Sequence, residues 1–73
     1  MNETIRIVVN GEERRVPTGT TAARLVEEMG LAGRRIAMEV NGEIVPRSTY
    51  AEHRFQDGDR VEVVQAIGGG QGV

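Results

Sequence analysis

Two Asn-Gly pairs constrain the fold of this 73-residue chain more than any other feature. Each pair follows a stretch in which apolar side chains alternate with others: residues 4–9 precede Asn10-Gly11, and residues 36–40 precede Asn41-Gly42. Asn-Gly favours the type I′ turn, because both central residues of that turn need a positive φ. The sequence therefore predicts two β-hairpins, whose return strands end at prolines.

A short amphipathic helix is predicted between the two hairpins. Thr20 or Thr21 can cap it, because a threonine hydroxyl accepts a hydrogen bond from a free amide of the first turn. Apolar residues then recur at helical spacing, at Ala22, Leu25, Val26 and Met29. Gly30 suits the left-handed residue that follows a helix, so we expect the helix to end there.

The second half of the chain predicts a polar turn over residues 48–53 and a last strand over 60–67. The resulting order is strand, strand, helix, strand, short strand, strand. This order is that of the α+β β-grasp (ubiquitin-like) fold, in which a mixed sheet of four to five strands wraps one helix. The predicted domain covers residues 1–67, and residues 68–73 form a flexible glycine-rich C-terminal tail.

Composition excludes several classes of function. The chain has no cysteine, which rules out disulfides, thiolate metal sites and a cysteine nucleophile. Its net charge is −2 with acidic and basic residues interleaved, so nucleic acid is not an expected partner. No apolar stretch approaches the ~20 residues of a membrane helix, and no secretory pattern begins the chain. We therefore predict a cytoplasmic protein without a membrane partner.

The body of the domain offers no catalytic or metal site. His53 is the single histidine and has no neighbouring ligand cluster, so we expect a plain surface residue. Asp57 and Asp59 flank a glycine in a turn, and the other ligands of a calcium loop are missing. The prediction is a protein that is not an enzyme, has no catalytic residue and binds no metal or cofactor of its own.

The C-terminal segment Gly68-Gly69-Gly70 is the feature that suggests a function. A tail without Cβ atoms is thin and can be fully extended. The five residues 66–70 span about 17 Å when extended. Such a tail can deliver a carboxylate into the active site of another protein, and the cost of ordering it keeps the binding reversible.

The chain resembles the ThiS family of thiamine-biosynthesis sulfur carriers. The resemblance is carried by Asn-Gly at 41–42 with Glu-Ile-Val-Pro-Arg at 43–47, by Gln-Asp-Gly-Asp-Arg-Val-Glu-Val-Val at 56–64, and by Ala-Ile-Gly-Gly-Gly at 66–70. It covers roughly residues 4–70. What it implies is a cycle in which an adenylating enzyme activates the terminal carboxyl group with ATP and magnesium. Sulfur mobilised by a cysteine desulfurase then gives a thiocarboxylate, which serves thiazole synthase as sulfur donor.

Carried over by position, Gly70 is the residue that becomes the acyl adenylate and the thiocarboxylate, and Gly69 is its diglycine partner. Family members usually end at this diglycine, whereas this chain continues with Gln71-Gly72-Val73. Adenylation needs a free carboxyl group on the reacting residue. We therefore hypothesise that a protease removes residues 71–73.

Docking to the adenylating enzyme is predicted on the sheet face that points away from the helix. The predicted docking residues are Ala37, Glu62, Val64 and Ala66. An apolar patch rimmed by charge suits a transient contact, although single exposed apolar residues are also common on an ordinary solvated face.

Three alternatives stay open at this point. The small subunit of molybdopterin synthase shares the fold, the tail and the thiocarboxylate, but the segment Val45-Pro46-Arg47 favours the ThiS family. A ubiquitin-like modifier would end in an amide on a target lysine. All nine basic residues here are arginine, so lysine-linked chains of this protein are excluded but attachment to other proteins is not. The third alternative is an interaction domain with an inert tail.

Overall fold

The computed structural model describes residues 3–65, which form one α-helix and a five-stranded sheet. In chain order the elements are β1 (Thr4–Val9), β2 (Glu12–Pro17), α1 (Ala22–Glu28), β3 (Ile36–Val40), β4 (Glu43–Val45) and β5 (Arg60–Gln65). A single turn of 3-10 helix covers Arg47–Thr49 between β4 and β5. The predicted α+β fold with a mixed sheet and one helix is confirmed.

The sheet has the strand order β2-β1-β5-β3-β4, so the last strand of the chain lies in its centre. β1 and β5 are parallel, with Val8 opposite Arg60, whereas the other neighbouring pairs are antiparallel. Hydrogen bonds from both sides therefore hold β5, the strand that leads into the C-terminal tail. β2 and β4 form the two edges.

Both Asn-Gly turns adopt the backbone that the type I′ turn requires. The φ angles are 52° at Asn10 and 84° at Gly11, and the second turn has 53° at Asn41 and 85° at Gly42. These positive angles confirm the two hairpins, since asparagine and glycine tolerate the left-handed region better than other residues.

The asparagine side chains of these turns also form hydrogen bonds with the backbone of β5. Asn10 Oδ1 accepts a hydrogen bond from the amide of Val63 at 2.8 Å, and Asn10 Nδ2 donates to the Val63 carbonyl at 3.2 Å. Asn41 Oδ1 accepts from the amide of Arg60 at 2.9 Å. The two hairpins thus fix β5 near both of its ends, and local turn preferences alone do not predict this.

The helix begins at a well-satisfied N-terminus. Thr21 is the N-cap, and its hydroxyl oxygen accepts a hydrogen bond from the amide of Arg24 at 3.2 Å. The amide of Ala22 donates to the carbonyl of His53 at 2.8 Å, and the next amide donates to the carbonyl of Tyr50 at 3.0 Å. The segment after β4 therefore caps a helix that is too short to be stable alone.

The core lies between α1 and one face of the sheet. Its buried apolar side chains are Ile7, Val9, Val16, Ala22, Leu25, Val26, Met38, Val40, Val45, Tyr50, Phe55, Val61 and Val63. A polar turn was expected over residues 48–53. Residues 50–52 do form a turn, but it follows a 3-10 helix over Arg47–Thr49, and the Tyr50 side chain is buried, with only 7% exposed. In so small a domain, both aromatic side chains are used to fill the core.

Candidate functional site

Three of the four predicted docking residues lie on the sheet face opposite the helix. Glu62 and Val64 alternate in β5 with the buried Val61 and Val63, and Ala37 pairs directly with Val64 across the β3–β5 ladder. All three are exposed, and 62% of the Val64 side chain faces solvent. The fourth predicted residue, Ala66, lies outside the described residues.

Ile44 extends this face and was not singled out from the sequence. It is 65% exposed and pairs with Glu39 in β3, which in turn pairs with Glu62 in β5. Among residues 3–65, Ile44 and Val64 are the two large apolar side chains left exposed. The two-residue turn at Asn41-Gly42 already implied that Ile44 faces Glu39, so the signal was present. We call residues 37, 39, 44, 62 and 64 the open face.

The open face also contains a pair of like charges. Glu39 and Glu62 are direct cross-strand partners, an arrangement that disfavours the sheet by a few tenths of a kcal/mol or more. Neither carboxylate forms an ion pair within the described part of the chain. The face therefore combines two exposed apolar side chains with an acidic centre, which suits transient contact with a partner that presents apolar and basic groups.

The root of the tail borders the open face. Gln65, the last residue of β5, pairs with Ile36 at the beginning of β3, and Asn10 holds the backbone of Val63 two residues earlier. The tail residues Gly68 and Gly69 and the predicted reactive residue Gly70 lie outside the described residues. The tail therefore follows directly from the central strand β5, at the end of the sheet where Gln65 pairs with Ile36.

His53 is not the plain surface residue that was expected. It is half-buried, and its ring meets that of Phe55 edge to face with centroids 5.6 Å apart. Its Nε2 atom is buried and has no hydrogen-bond partner among the described residues. The backbone explains the position, because the His53 carbonyl caps the helix and its amide donates to the carbonyl of Thr49 at 2.9 Å.

The two aspartates near β5 make turn contacts. Asp57 Oδ1 accepts a hydrogen bond from the amide of Arg6 at 2.9 Å, and Asp59 Oδ2 accepts from the amide of Gln56 at 2.9 Å. Residues 3–65 contain no group of three or more histidine, aspartate or glutamate side chains that could hold a metal ion. Within the same range, no helix is long and apolar enough to cross a membrane.

Comparison with known proteins identifies the family of this chain. A model of the ThiS family matches residues 2–70. The chain belongs to the ThiS family. The resemblance expected from residues 41–47, 56–64 and 66–70 is confirmed, and the ThiS match ends at Gly70.

Relatives of known name include a free-standing ThiS and longer proteins. The sulfur carrier protein ThiS of Escherichia coli (strain K12) is 33% identical over 66 residues, which cover 90% of this chain and 100% of that protein. A thiazole synthase of Paramagnetospirillum magneticum is 46% identical over 66 residues, and one of Magnetococcus marinus is 40% identical over 67 residues. The chain covers 20% and 21% of these two synthases, about a fifth of their length.

The fold agrees with a solved ThiS structure. The crystal structure of the thiamine biosynthesis protein ThiS from Geobacter metallireducens superposes with a TM-score of 0.76 at 28% identity. The superposition covers 90% of this chain and 100% of the other. The open face and the central position of β5 therefore belong to a ThiS-like domain.

Proposed function

We propose that this chain is a sulfur carrier of thiamine biosynthesis that carries sulfur on the carboxyl group of Gly70. The observation that supports this most is the ThiS family match, which begins at residue 2 and ends at Gly70. The full coverage of the E. coli sulfur carrier protein ThiS points the same way. The domain would extend over residues 1–67, with residues 68–73 as its tail.

The chemistry begins with activation, because a carboxylate is a poor electrophile. A Gly70 carboxylate oxygen attacks the α-phosphorus of ATP in the adenylating enzyme, and pyrophosphate leaves. A hydrosulfide equivalent, released by a thiol reductant from the persulfide that a cysteine desulfurase forms, then attacks the acyl carbon and expels AMP. The product is a Gly70 thiocarboxylate, which thiazole synthase accepts as its sulfur source. The chain is a co-substrate in this cycle, and ATP and magnesium belong to the partner.

Residues 71–73 determine whether this cycle can start. While they are present, the Gly70 carbonyl is part of a peptide bond and offers no carboxylate to ATP. We propose that a protease removes Gln71-Gly72-Val73 before activation. We propose that the cycle runs in the cytoplasm, where ATP is available for adenylation.

The open face is the proposed surface for the adenylating enzyme. Ala37, Glu62, Val64 and Ala66 were selected from the sequence, and Ile44 adds a second large apolar side chain beside them. The face borders the root of the tail at Gln65, so a partner that receives the tail can contact both. The modest apolar area suits a contact that must be released after each cycle.

ATP–pyrophosphate exchange by a purified ThiS-adenylating enzyme tests the proposal. We would compare the 73-residue chain with a chain that ends at Gly70 and a control that ends at Gly69. Exchange should require the chain that ends at Gly70. Equal exchange with the 73-residue chain would contradict the processing step, and no exchange with any form would contradict the carrier function. Sulfur transfer only to a molybdopterin synthase large subunit would reassign the pathway.

A further inference from the structure

Three exposed arginines lie at the end of the sheet from which the tail leaves. Arg34 and Arg35 directly precede Ile36, the β3 residue that pairs with Gln65 at the end of β5. The Nη1 atom of Arg47 donates a hydrogen bond to the carbonyl of Arg34 at 3.0 Å, which brings a third guanidinium to the same end. We call Arg34, Arg35 and Arg47 the arginine cluster.

Within residues 3–65, no acidic side chain forms an ion pair with the arginine cluster. The ion pairs within residues 3–65 join Arg6 to Glu13 and Arg24 to Glu28, and neither includes an arginine of the cluster. A chain with a net charge of −2 therefore concentrates unpaired positive charge beside the tail root. The nearest acids in the strands are the paired Glu39 and Glu62, which lie farther from the tail along β3 and β5.

This separation of charge limits the orientations in which a partner can dock. The β3 side of the tail root is basic, whereas the middle of the open face is acidic and the β1–β2 hairpin on the other side of the tail root carries Glu12. A complementary partner must therefore present acidic groups on the β3 side of the tail and a basic group over the middle of the open face. Arginine suits such a contact, because its planar guanidinium can form two parallel hydrogen bonds with one carboxylate.

On the basis of the proposed function, we infer that the arginine cluster docks against an acidic rim around the channel in which the adenylating enzyme receives the tail. The extended residues 66–70 span about 17 Å, so the cluster meets the channel mouth and not the reacting carboxyl group. Its role is to attract and orient the carrier. The adenylating enzyme is the partner, because the cluster is continuous with the open face, the surface proposed for that enzyme, through the Ile36–Gln65 pair.

The experiment compares two adjacent arginine pairs in chains that end at Gly70, which keep every described strand and helix. The variant Arg34→Glu/Arg35→Glu reverses two charges of the cluster. The control Arg14→Glu/Arg15→Glu makes the same change of net charge in β2, where these residues pair with Ile7 and Arg6 at a distance from the tail root. Single variants Arg35→Glu and Arg15→Glu, at two exposed positions, serve if a double variant melts at a lower temperature.

The readout is the kcat/KM of adenylation, measured as ATP–pyrophosphate exchange at low and high salt. We expect Arg34→Glu/Arg35→Glu to lower kcat/KM at low salt by about tenfold or more, through KM with kcat unchanged. The difference should shrink at high salt, where exposed charges are screened. The control should stay within about twofold, as expected for charges outside the contact.

Equal effects of the two pairs, or none from the cluster, would overturn the acidic rim while leaving the carrier function intact. An unchanged KM with a lower kcat would also overturn it, because the cluster would then act on the chemical step. Failure of the unsubstituted chain that ends at Gly70 to be adenylated would overturn both proposals together.

Discussion

Val63 and Val64 are adjacent residues of the same type in the central strand, but Val63 is buried and Val64 is exposed to solvent. Val63 is 7% exposed and pairs with Met38 under the helix, whereas Val64 is 62% exposed and pairs with Ala37 on the open face. Strand geometry alone places successive side chains on opposite faces. One face therefore stabilises the domain, while the other leaves apolar surface available to a partner.

Because the two faces differ in burial, substitutions on them should affect different properties of the protein. On the inner face, a change of side chain alters the free energy of unfolding. On the open face, a change should leave the fold intact and alter the encounter with the adenylating enzyme. Four substitutions can break or sharpen this comparison.

The largest effect is expected from Val63→Arg. A guanidinium would be buried without a partner, at a cost of several kcal/mol. A domain of this size has a net stability of only about 3–5 kcal/mol, so we expect it to be largely unfolded. Far-UV circular dichroism during a urea titration measures this. A cooperative transition at the wild-type midpoint would show that Val63 does not face the core.

The next largest effect is expected from Asn10→Gly. Glycine keeps the positive φ of the turn but removes both side-chain hydrogen bonds to the Val63 backbone. We expect a loss of about 1–3 kcal/mol in the free energy of unfolding. Asn10→Asp keeps the acceptor for the Val63 amide but turns a carboxylate oxygen toward the Val63 carbonyl, so it should also be less stable than wild type. Equal stability of wild type and Asn10→Gly in urea would mean that the side chain does not hold β5.

Val64→Arg tests the open face directly. Since the side chain is exposed, the free energy of unfolding should change by no more than about 0.5 kcal/mol. Loading by the adenylating enzyme should fall about tenfold, which corresponds to ~1.4 kcal/mol of binding. Thr18→Arg adds the same side chain at an exposed loop position and should load normally. Unaltered loading kinetics of a stably folded Val64→Arg would rule out docking through this face.

Thr21→Ala sharpens the comparison from the helix side. It removes the hydroxyl that caps α1 and should cost about 1 kcal/mol. Because α1 covers only the inner face, the folded fraction should be loaded at the wild-type rate. Urea titration and loading at low temperature test the two statements. A loading defect in fully folded Thr21→Ala would show that the two faces are coupled.

Local patterns in the sequence were sufficient for most of the fold. The alternation before Asn10-Gly11 and Asn41-Gly42 predicted both hairpins. A threonine cap, at Thr20 or Thr21, and the apolar spacing after it predicted the helix. Pairing between strands that are distant in the chain could not be predicted in this way, because no local sequence pattern indicates that β1 lies beside β5. The same limitation hid the hydrogen bonds between Asn10 and Val63, which join residues far apart in the chain.

The site was predicted where it followed from alternation and missed where it depended on packing. Alternation placed Ala37, Glu62 and Val64 on one face, and the structure exposes all three. Ile44 was missed because its strand is only three residues long, too short for a clear period, so that its direction follows only from the register of the Asn41-Gly42 turn. His53 and Tyr50 were assigned to a polar turn, since their burial comes from contacts that only the folded chain provides.

The most direct test of sulfur carriage is the intact mass of the protein purified from its native cells. We predict a chain that ends at Gly70, with a fraction heavier by the replacement of one oxygen with sulfur. That result would establish both processing and sulfur loading. Finding only chains that retain residues 71–73, even in cells starved of thiamine, would contradict the proposal that this ThiS-family chain carries sulfur on Gly70.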